Sequence, residues 1–533
     1  MEGRLASRRG SGRGRRLLAG VLLGSVLPLV VAEDWPTLGR AWDRNPVSAE
    51  RGLPASFDPA TGQNIKWVAK LGTETHSSPV IAGGRVLIGT NNGEPRDPKH
   101  QGDRGVLMCF DERDGRFLWQ LVVPKRVEDI YFDWPNSGMS STATIEGDRA
   151  YLADNRGVVL CVDLHGMANG NDGPFRNEAI YFAPQATNDL ARGAPAVFFP
   201  DGTLRPDAPP PARVEPGPLD GDIIWMFCLS SGAGIWSHDA AHTSVLIRGP
   251  HLYLNTSTGV DNTHRRIRRP NAPSLVVLDK ATGRLLARER EGIGPNIFHS
   301  TWSPPALAVI GGRELILLNA GNGITYAFEP LPTNAPITEV QTLKKVWAFD
   351  FDPEAPKTDV HRYHLNKTEG PSNFYGAPVY HDGLVYAAGG GDLWWGKNAA
   401  WLKAFRPPGD AAGTGALAWS YPVVRHTFST PAVHDGLVYV TDCSQNLHCV
   451  DAKTGAAVWT HELRGETWAS PFVADGKVYV GTRRGFLHVL AAQREKRELA
   501  EIALRTPISA TTVAANGVLY VATMTRLYAV AAP

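Results

Sequence analysis

Internal repetition is the feature that most restricts how this chain can fold. The segment 446–459 reads NLHCVDAKTGAAVW, and better or worse copies of it return along nearly the whole sequence. Each repeat has a short apolar strand after small residues, a glycine turn, an aromatic strand, and a third strand that ends in Asp before a turn and Trp. The alternation and the glycine turns indicate strands of about five residues joined by hairpins. Four such strands make one propeller blade.

The first strands of the repeats predict eight blades. Their equivalent positions are Pro79, Thr142, Val245, Pro304, Pro378, Pro431, Pro471 and Thr512. The last copy stops one strand short after Val530, whereas an orphan turn and strand stand at 58–68. We therefore predict an all-β fold, a single eight-bladed β-propeller of four-stranded antiparallel blades over 58–533. The N-terminal strand is expected to close the ring, because closure removes the exposed sheet edges.

A tryptophan recurs in the fourth strand of six of the eight predicted blades. These residues are Trp67, Trp119, Trp225, Trp347, Trp419 and Trp459. Tryptophan at this spacing can pack between neighbouring blades while its indole N–H donates to a backbone carbonyl. We predict a structural role for all six, and none of them is a candidate site residue.

This pattern resembles the tryptophan-docking repeat of the quinoprotein alcohol dehydrogenase family, eight-bladed propellers that carry pyrroloquinoline quinone (PQQ) repeats. The resemblance extends from about Asp58 to the C-terminus. The repeat is also similar to that of the propeller lipoprotein of the outer-membrane β-barrel assembly machinery. For the enzymes, the resemblance implies PQQ in the ring centre, Ca²⁺ held by oxygen ligands and an Asp base. The sequence has neither the adjacent cysteine pair nor the CxxCH haem site of family members. The Glu, Asn and Asp calcium ligands of the family do not match identifiable positions here, so none of them is carried over.

The first 32 residues have the layout of a secretory signal peptide. Several arginines between Arg4 and Arg16 precede an apolar run from Leu17 to Ala32, which is shorter than the roughly twenty residues of a membrane span. We expect cleavage after Ala32, by either the general or the twin-arginine route, and a retained anchor is the alternative. Residues 33–57 are then an N-terminal extension. The prediction is a periplasmic or secreted protein without a stable membrane span.

The positions of the cysteines argue against disulfides among three of them, and the charge balance argues against nucleic acid as a partner. Equivalent third-strand positions hold Cys109, Cys161 and Cys449, and a buried, unbridged thiol is expected at each of them. The sequence does not decide whether Cys228 and Cys443 form a disulfide. The formal net charge of +1 gives no support to nucleic-acid binding. The segment 236–242 has two histidines at the spacing of a zinc helix but lacks the glutamate and lies in a predicted loop, so no metal site is assigned.

The repeat register sends two sets of loops to one face of the ring, where binding residues are expected. The candidates at its mouth are His76, His242, His299, Asn373, His426 and Trp468. Long loops at 90–105, 258–272 and 389–398 cover the same face. The second loop offers Arg265 and Arg266 to an anion, and the third offers Asp392, Trp394 and Trp395. Adjacent residues of an extended segment point to opposite sides, so one of the two tryptophans is expected to pack and the other to face the opening.

We predict an exported, non-catalytic β-propeller that binds or scaffolds an unknown protein, small-molecule or glycan ligand, without a cofactor. Two alternatives stay open. One is a PQQ- and Ca-dependent alcohol or sugar dehydrogenase, and the other is a carbohydrate-binding propeller that stacks sugars on its rim aromatics. The proline-rich insertion 166–220, between the third and fourth strands of blade two, is expected to be extended, poorly packed and on the opposite face.

Overall fold

Eight antiparallel sheets form the fold, and each sheet is one blade. The computed structural model describes residues 33–126, 130–184, 197–208, 210–239, 241–408 and 413–532, so the predicted signal peptide lies outside the described residues. In chain order the strands are β1 (Ile65–Lys70), β2 (Val80–Ala82), β3 (Arg85–Asn91), β4 (Arg104–Asp111), β5 (Phe117–Pro124), β6 (Thr144–Glu146), β7 (Arg149–Ala153), β8 (Val158–Asp163), β9 (Ile223–Cys228), β10 (Leu246–Arg248), β11 (His251–Asn255), β12 (Leu275–Asp279), β13 (Leu285–Arg288), β14 (Ala306–Ile310), β15 (Arg313–Asn319), β16 (Ile324–Phe328), β17 (Gln341–Thr342), β18 (Lys345–Asp350), β19 (Val379–His381), β20 (Leu384–Gly390), β21 (Ala400–Arg406), β22 (Gly413–Thr414), β23 (Ala416–Val423), β24 (Ala432–His434), β25 (Leu437–Asp442), β26 (Asn446–Asp451), β27 (Ala457–Glu462), β28 (Phe472–Ala474), β29 (Lys477–Gly481), β30 (Phe486–Ala491), β31 (Glu498–Ala503), β32 (Val513–Ala515), β33 (Val518–Ala522) and β34 (Arg526–Val530).

The strands pair in sequence order within each blade. Blades one to eight are β2–β5, β6–β9, β10–β13, β14–β16 with β18, β19–β21 with β23, β24–β27, β28–β31, and β32–β34 with β1. Two short strands, β17 and β22, add in parallel to the outer edges of blades three and four. The helical segments are short: Gly166–Asn169, Glu178–Tyr181, Leu229–Ala233, Gly294–Asn296 and Val360–Tyr363. The predicted eight-bladed, all-β propeller is confirmed.

Ring closure depends on β1, as the sequence predicts. This strand pairs antiparallel with β34, with Trp67 opposite Ala529 and Lys70 opposite Arg526. Trp67 and Ala69 of this strand, and Leu71 directly after it, are buried in the same apolar cluster as residues of β33 and β34. The fourth strand of the last blade therefore comes from the start of the chain, which leaves β34 with a partner on both sides.

Small residues on the third strand stand directly opposite the tryptophans of the fourth strand. The six pairs are Cys109–Trp119, Cys161–Trp225, Ala327–Trp347, Ala404–Trp419, Cys449–Trp459 and Ala529–Trp67. A large indole leaves room only for a small partner across the pair. This position explains the column of buried cysteines, and all five cysteines of the chain are free thiols.

Five of the six docking tryptophans donate a hydrogen bond to the next blade. The indole N–H groups of Trp67, Trp119, Trp225, Trp419 and Trp459 donate to the carbonyls of Glu112, Leu164, Lys280, Ala452 and Gln493, at 2.9–3.1 Å. These carbonyls lie in or beside the turns after the third strand, which confirms the structural role predicted for five of the six. The indole N–H of Trp347 has no partner among the described residues. The equivalent turn of blade five includes residues 409–412, which are not described.

The N-terminal extension crosses the ring at the far end of the first strands. Backbone hydrogen bonds join Trp35 to Ile81 of blade one, Trp42 to Leu307 of blade four and Ser48 to Val473 of blade seven. The extension also contributes Trp35, Leu53 and Phe57 to a buried apolar cluster. It therefore closes one end of the central channel.

Arg44 anchors this extension from the inside. Its side chain is fully buried and donates from Nε to the Pro305 carbonyl (2.9 Å) and from Nη2 to the Ser244 carbonyl (3.1 Å). A third donor, Nη1, reaches the hydroxyl of Thr37 at 2.9 Å. A buried guanidinium is tolerated only when its donors are satisfied, and here they tie the extension to blades three and four.

The insertion between β8 and β9 is better packed than the sequence indicates. Phe175, Tyr181 and Phe182 are buried in the apolar cluster of blades one and two. Tyr181 also donates from its hydroxyl to Asp154, which follows β7 on the loop-bearing face. The expectation of an extended, poorly packed segment is therefore wrong for these residues, because the aromatic side chains between two prolines pack against the blades.

Candidate functional site

The ring encloses a cavity of about 640 Å³ that opens on the face of the long loops. Residues that precede the first strands form its walls, including His76, His242 and Trp468. Leu38 of the N-terminal extension lies at the closed end. The channel is therefore a blind funnel, and its volume falls within the about 300–1,000 Å³ that small-molecule sites occupy.

A belt of serine and threonine hydroxyls surrounds the deep part of this funnel. Each hydroxyl stands just before a first strand and accepts a backbone N–H from the neighbouring blade. The bonds are Ala377 to Thr430 (3.0 Å), Thr430 to Ser470 (2.9 Å), Ser470 to Thr511 (3.1 Å), Thr511 to Ser78 (3.1 Å) and Ser78 to Thr142 (3.2 Å). Since each hydroxyl oxygen accepts, its own proton can be donated to a ligand.

Aromatic rings form the upper wall of the funnel. The lining rings are Tyr131, Trp134, Trp302, Tyr375, Trp394, Trp395, Phe428 and Trp468. They support one another, with ring centroids 5.0 Å apart for Trp302 and Tyr375 and 5.1 Å apart for Phe428 and Trp468. The guanidinium of Arg483 lies 3.9 Å from the centroid of Trp468. Such mutual packing holds flat apolar faces toward the cavity.

The loop 389–398 brings both of its tryptophans to the cavity. One carboxylate oxygen of Asp392 accepts the backbone N–H groups of Trp394 (2.9 Å) and Trp395 (2.7 Å), which makes a tight turn. A Cβ on Gly391 would lie 1.8 Å from the Lys397 carbonyl oxygen, so only glycine fits there. The expectation that one tryptophan faces away is wrong, because this segment is a turn and not an extended strand.

Three histidines from separate loops meet on one side of the funnel. Nε2 of His238 lies 3.0 Å from Nε2 of His264, and the ring centroids of His238 and His299 are 4.8 Å apart. The carboxylate of Asp239 lies 3.5 Å from Nε2 of His238 and 3.8 Å from Nε2 of His299. Gly259 permits this approach, since a Cβ there would lie 2.8 Å from the Cβ of His238.

Hydrogen bonds fix two of these imidazoles. Nδ1 of His238 donates to the Val260 carbonyl at 3.0 Å, and Nδ1 of His299 donates to Asp392 at 2.8 Å. Asp392 also accepts the hydroxyl of Tyr375. Because Nδ1 is the donor in both rings, Nε2 points toward the cluster.

Burial sets the protonation of most groups in this wall. It lowers the pKa of His238 well below its usual value and lowers that of His264 to about 4, with His299 as a second cause in both. Burial also lowers the pKa of His242 to about 3 and that of His426 to about 4. These four imidazoles are therefore neutral near pH 7.

The pair of His299 and Asp392 behaves differently. Burial acts to lower the pKa of His299, but the Asp392 carboxylate outweighs it and raises that pKa. Burial acts to raise the pKa of Asp392, but His299 holds it below its usual range. Burial raises the pKa of Asp239 to about 6.

The structure brings most, but not all, of the predicted site residues together. Six line the cavity: His76, His242, His299, Trp394, Trp395 and Trp468. Three lie buried behind its wall: Asp392, Asn373, which donates to the Tyr375 hydroxyl at 3.0 Å, and His426, which bonds to the Gly391 carbonyl. Asp392 therefore does not contact the cavity, although the sequence placed it there.

Arg265 and Arg266 lie away from the cavity. Arg265 is exposed, and Arg266 pairs with Asp261 at 2.5 Å while most of its side chain is exposed. Their proposed contact with an anionic ligand of the funnel does not fit this placement. The residue of the same loop that turns inward is His264.

Sequence reasoning missed the partners of His299 and the hydroxyl belt. The sequence pattern relates His238 only to His242, by their spacing, whereas the neighbour of His238 in space is His264, 26 positions along the chain. The hydroxyls of Thr430, Ser470 and Thr511 were visible as small residues before each first strand. Their shared position in the repeat was the one pattern that could have identified them.

The sequence matches the family of outer membrane protein assembly factor BamB over residues 39–193 and 398–531, together more than half of the chain. No curated protein sequence matches it.

Solved propeller structures are similar to this chain. BamB from Moraxella catarrhalis is 13% identical with a TM-score of 0.48, and the match covers 87% of this chain and 96% of that one. The quinohemoprotein alcohol dehydrogenase from Comamonas testosteroni is 16% identical with a TM-score of 0.45, over 94% of this chain and 81% of that one. The computationally designed protein Ika8 is 9% identical with a TM-score of 0.48, over 88% of this chain and 100% of that one. At these values the similarities carry no argument about function.

Proposed function

Because the chain belongs to the family of outer membrane protein assembly factor BamB, we propose that it is an exported, non-catalytic propeller that binds a small ligand in its central funnel. The observation that carries this proposal is the blind cavity of about 640 Å³ with aromatic walls and a hydroxyl belt. A pocket that is largely preformed, mostly apolar and lined by a few convergent polar groups is typical of small-ligand sites.

The lining favours a saccharide as the ligand. Flat tryptophan faces such as those of Trp468 and Trp395 can stack on the C–H faces of a sugar ring. The hydroxyls of Thr430 and Ser470 can donate to the oxygens of the same ring, and Glu74 can accept its hydroxyl protons. A protein partner is the weaker candidate, because the lining converges on an enclosed volume and not on an outer surface.

The lining suits PQQ and Ca²⁺ poorly. Ca²⁺ takes about six to eight oxygen ligands. Among the described lining residues the carboxylates are Glu74 and Asp239, and the latter lies beside imidazoles. PQQ carries three carboxylates, and Arg483 is the only lysine or arginine side chain among the same residues. We therefore derive no step through this cofactor.

The test is binding of the purified mature chain to an oligosaccharide array, followed by calorimetry with the best-bound oligosaccharide. We expect saturable binding at one site per chain. An array on which control lectins bind and this chain does not would reject the saccharide as the ligand.

Replacing a stacking residue should weaken this binding selectively. We expect Trp468→Ala and Trp395→Ala each to raise the dissociation constant by about tenfold or more, since loss of a central aromatic anchor costs about 2 kcal/mol. The matched control is Trp401→Ala, because Trp401 packs against Phe351 away from the cavity. Calorimetry with the same oligosaccharide measures the three constants. Equal losses in all three variants would indicate general destabilisation and contradict a site in the funnel.

Export is proposed from the basic and apolar segments of residues 1–32. None of the helices in the described ranges has the length and apolar character needed to cross a lipid bilayer. N-terminal sequencing of the protein from its natural source should give a mature chain that begins near Glu33. A chain that keeps Met1 and stays in the cytoplasmic fraction would overturn the export proposal.

A further inference from the structure

The three histidines on the funnel wall have the geometry of metal ligands. The ligand atoms of His238, His264 and His299 all lie within 4.8 Å of one another, and all three residues are buried. A tetrahedral ion with metal–nitrogen distances of about 2.0–2.1 Å would set its ligands about 3.4 Å apart. The Nε2 atoms of His238 and His264, 3.0 Å apart, are already close to that separation.

The outer nitrogens of two rings are held as metal-bound histidines require. Metal-bound histidines usually donate their second N–H to a carbonyl or a carboxylate, which fixes the tautomer. His238 makes this bond to the Val260 carbonyl and His299 makes it to Asp392. In both rings Nε2 is then the atom that faces the cluster.

Hydrogen bonding within the cluster does not satisfy it. A bond from His264 to His238 uses two of the three inner nitrogens. Among the described residues, Nε2 of His299 is buried without a hydrogen-bond partner, and so is one carboxylate oxygen of Asp239. Buried polar atoms without partners are rare in proteins, and each calls for an explanation. A metal ion at the centre would satisfy all three imidazoles and Asp239 together.

We propose that His238, His264 and His299, with Asp239 as a fourth ligand, bind one divalent first-row transition-metal ion. Imidazole nitrogens suit Zn²⁺, Cu²⁺, Ni²⁺ and Fe²⁺, whereas Ca²⁺ and Mg²⁺ prefer oxygen. His264, His299 and Asp239 line the funnel, so the ion faces its contents. The proposal does not depend on the identity of the organic ligand.

Two of the proposed ligands, Asp239 and His264, have unusual backbone angles. Asp239 and His264 have φ values of 65 and 55, in the left-handed region that non-glycine residues seldom adopt. Asparagine tolerates this region, so Asp239→Asn and His264→Asn remove a ligand with little added strain.

The probe is Zn²⁺ alone, added to the full mature chain after removal of metal with a chelator. We expect one equivalent to bind, measured by competition with a chromogenic chelator. His264→Asn should weaken binding by more than the about 10–100-fold that loss of an outer-shell partner costs, and Asp392→Asn should fall within that range. His434→Asn, which changes a histidine of β24 outside both the cluster and the cavity, should bind as the parent does.

A second variant separates this site from a surface site. His461, His488 and Glu498 form another group of ligand atoms, partly exposed on blades six and seven. Parent affinity in His264→Asn, or loss of binding only in His461→Asn, would overturn the proposal. So would the absence of binding tighter than about 100 µM in the parent, well above the dissociation constants of protein zinc sites.

X-ray absorption of the Zn²⁺-loaded parent gives a readout that needs no variant. The expected first shell has three imidazole nitrogens at about 2.0–2.1 Å. A shell built from oxygen, or with one imidazole, contradicts the assignment even if the variants prove unstable.

Discussion

Deletion of residues 58–71 is expected to abolish the folded monomer. The deletion removes β1, so β34 loses the pairing that joins Trp67 to Ala529 and presents an unpaired edge. It also removes three buried apolar side chains from the core of blade eight and the indole bond from Trp67 to Glu112. Large-to-small changes cost about 2–5 kcal/mol at a buried Leu such as Leu71 and about 3–5 kcal/mol at a buried Trp such as Trp67. Together these losses come close to the about 5–15 kcal/mol stability of a typical domain. We expect aggregation, seen by size-exclusion chromatography and circular dichroism.

A permuted chain provides the control for this deletion. Moving residues 33–71 behind residue 532 through a flexible linker keeps β1 beside β34, where Ala531 already bonds to the Asn64 carbonyl. We expect this permuted chain to be monomeric and to show one cooperative unfolding transition. If the deleted chain unfolds at the same temperature as the parent, pairing of β1 with β34 contributes nothing to the stability of the ring.

The fold could be predicted because the residues that make the same packing contacts recur in repeat after repeat of the sequence. A small residue such as Cys449, two positions before Asp451, stands opposite Trp459 across one strand pair. The same pattern of small residue, Asp and Trp returns in other blades. Local strand pairing, strand register and the contact between blades therefore all indicate the same fold. The missing strand at the end and the surplus strand at the start then determine how the ring closes.

The candidate site was predictable only where it follows the repeat. His76, His242 and Trp468 occupy one register position in three blades, and all three line the cavity. His264 belongs to no repeat position, because it lies in a long loop between the second and third strands that most blades lack. Its contact with His238 depends on the close backbone approach at Gly259, which the sequence does not encode as a pattern.

The two tryptophans of the 389–398 loop show a different limit. The alternation rule applies to an extended strand, but the carboxylate of Asp392 accepts two backbone N–H groups and turns the chain instead. The same carboxylate holds His299, so one side chain sets both the aromatic wall and the orientation of an imidazole. A side chain that bonds to its own backbone competes with regular structure, and this competition is hard to weigh from sequence alone.

The turn glycines allow the docking of a tryptophan to be measured separately from backbone strain. Gly283 ends the Asp279–Gly283 turn with a φ of 73, and a Cβ there would lie 2.4 Å from the indole ring of Trp225. Gly62 ends the equivalent Asp58–Gly62 turn with a φ of 79, but a Cβ there meets nothing within 4 Å. The difference arises because the preceding blade seven carries Ala500 at the position where six other blades carry the docking tryptophan.

Gly283→Ala should therefore destabilise the ring far more than Gly62→Ala does. Both variants impose a left-handed alanine, which costs about 1–2 kcal/mol. Only Gly283→Ala also forces Trp225 out of its contact and strains its bond to the Lys280 carbonyl, for which overpacking adds about 1–3 kcal/mol. Chemical denaturation of the two variants and the parent measures the difference. Equal losses of stability in the two variants would mean that the Trp225 indole contributes nothing at this turn beyond filling space. That result would contradict the role of this tryptophan in holding neighbouring blades together.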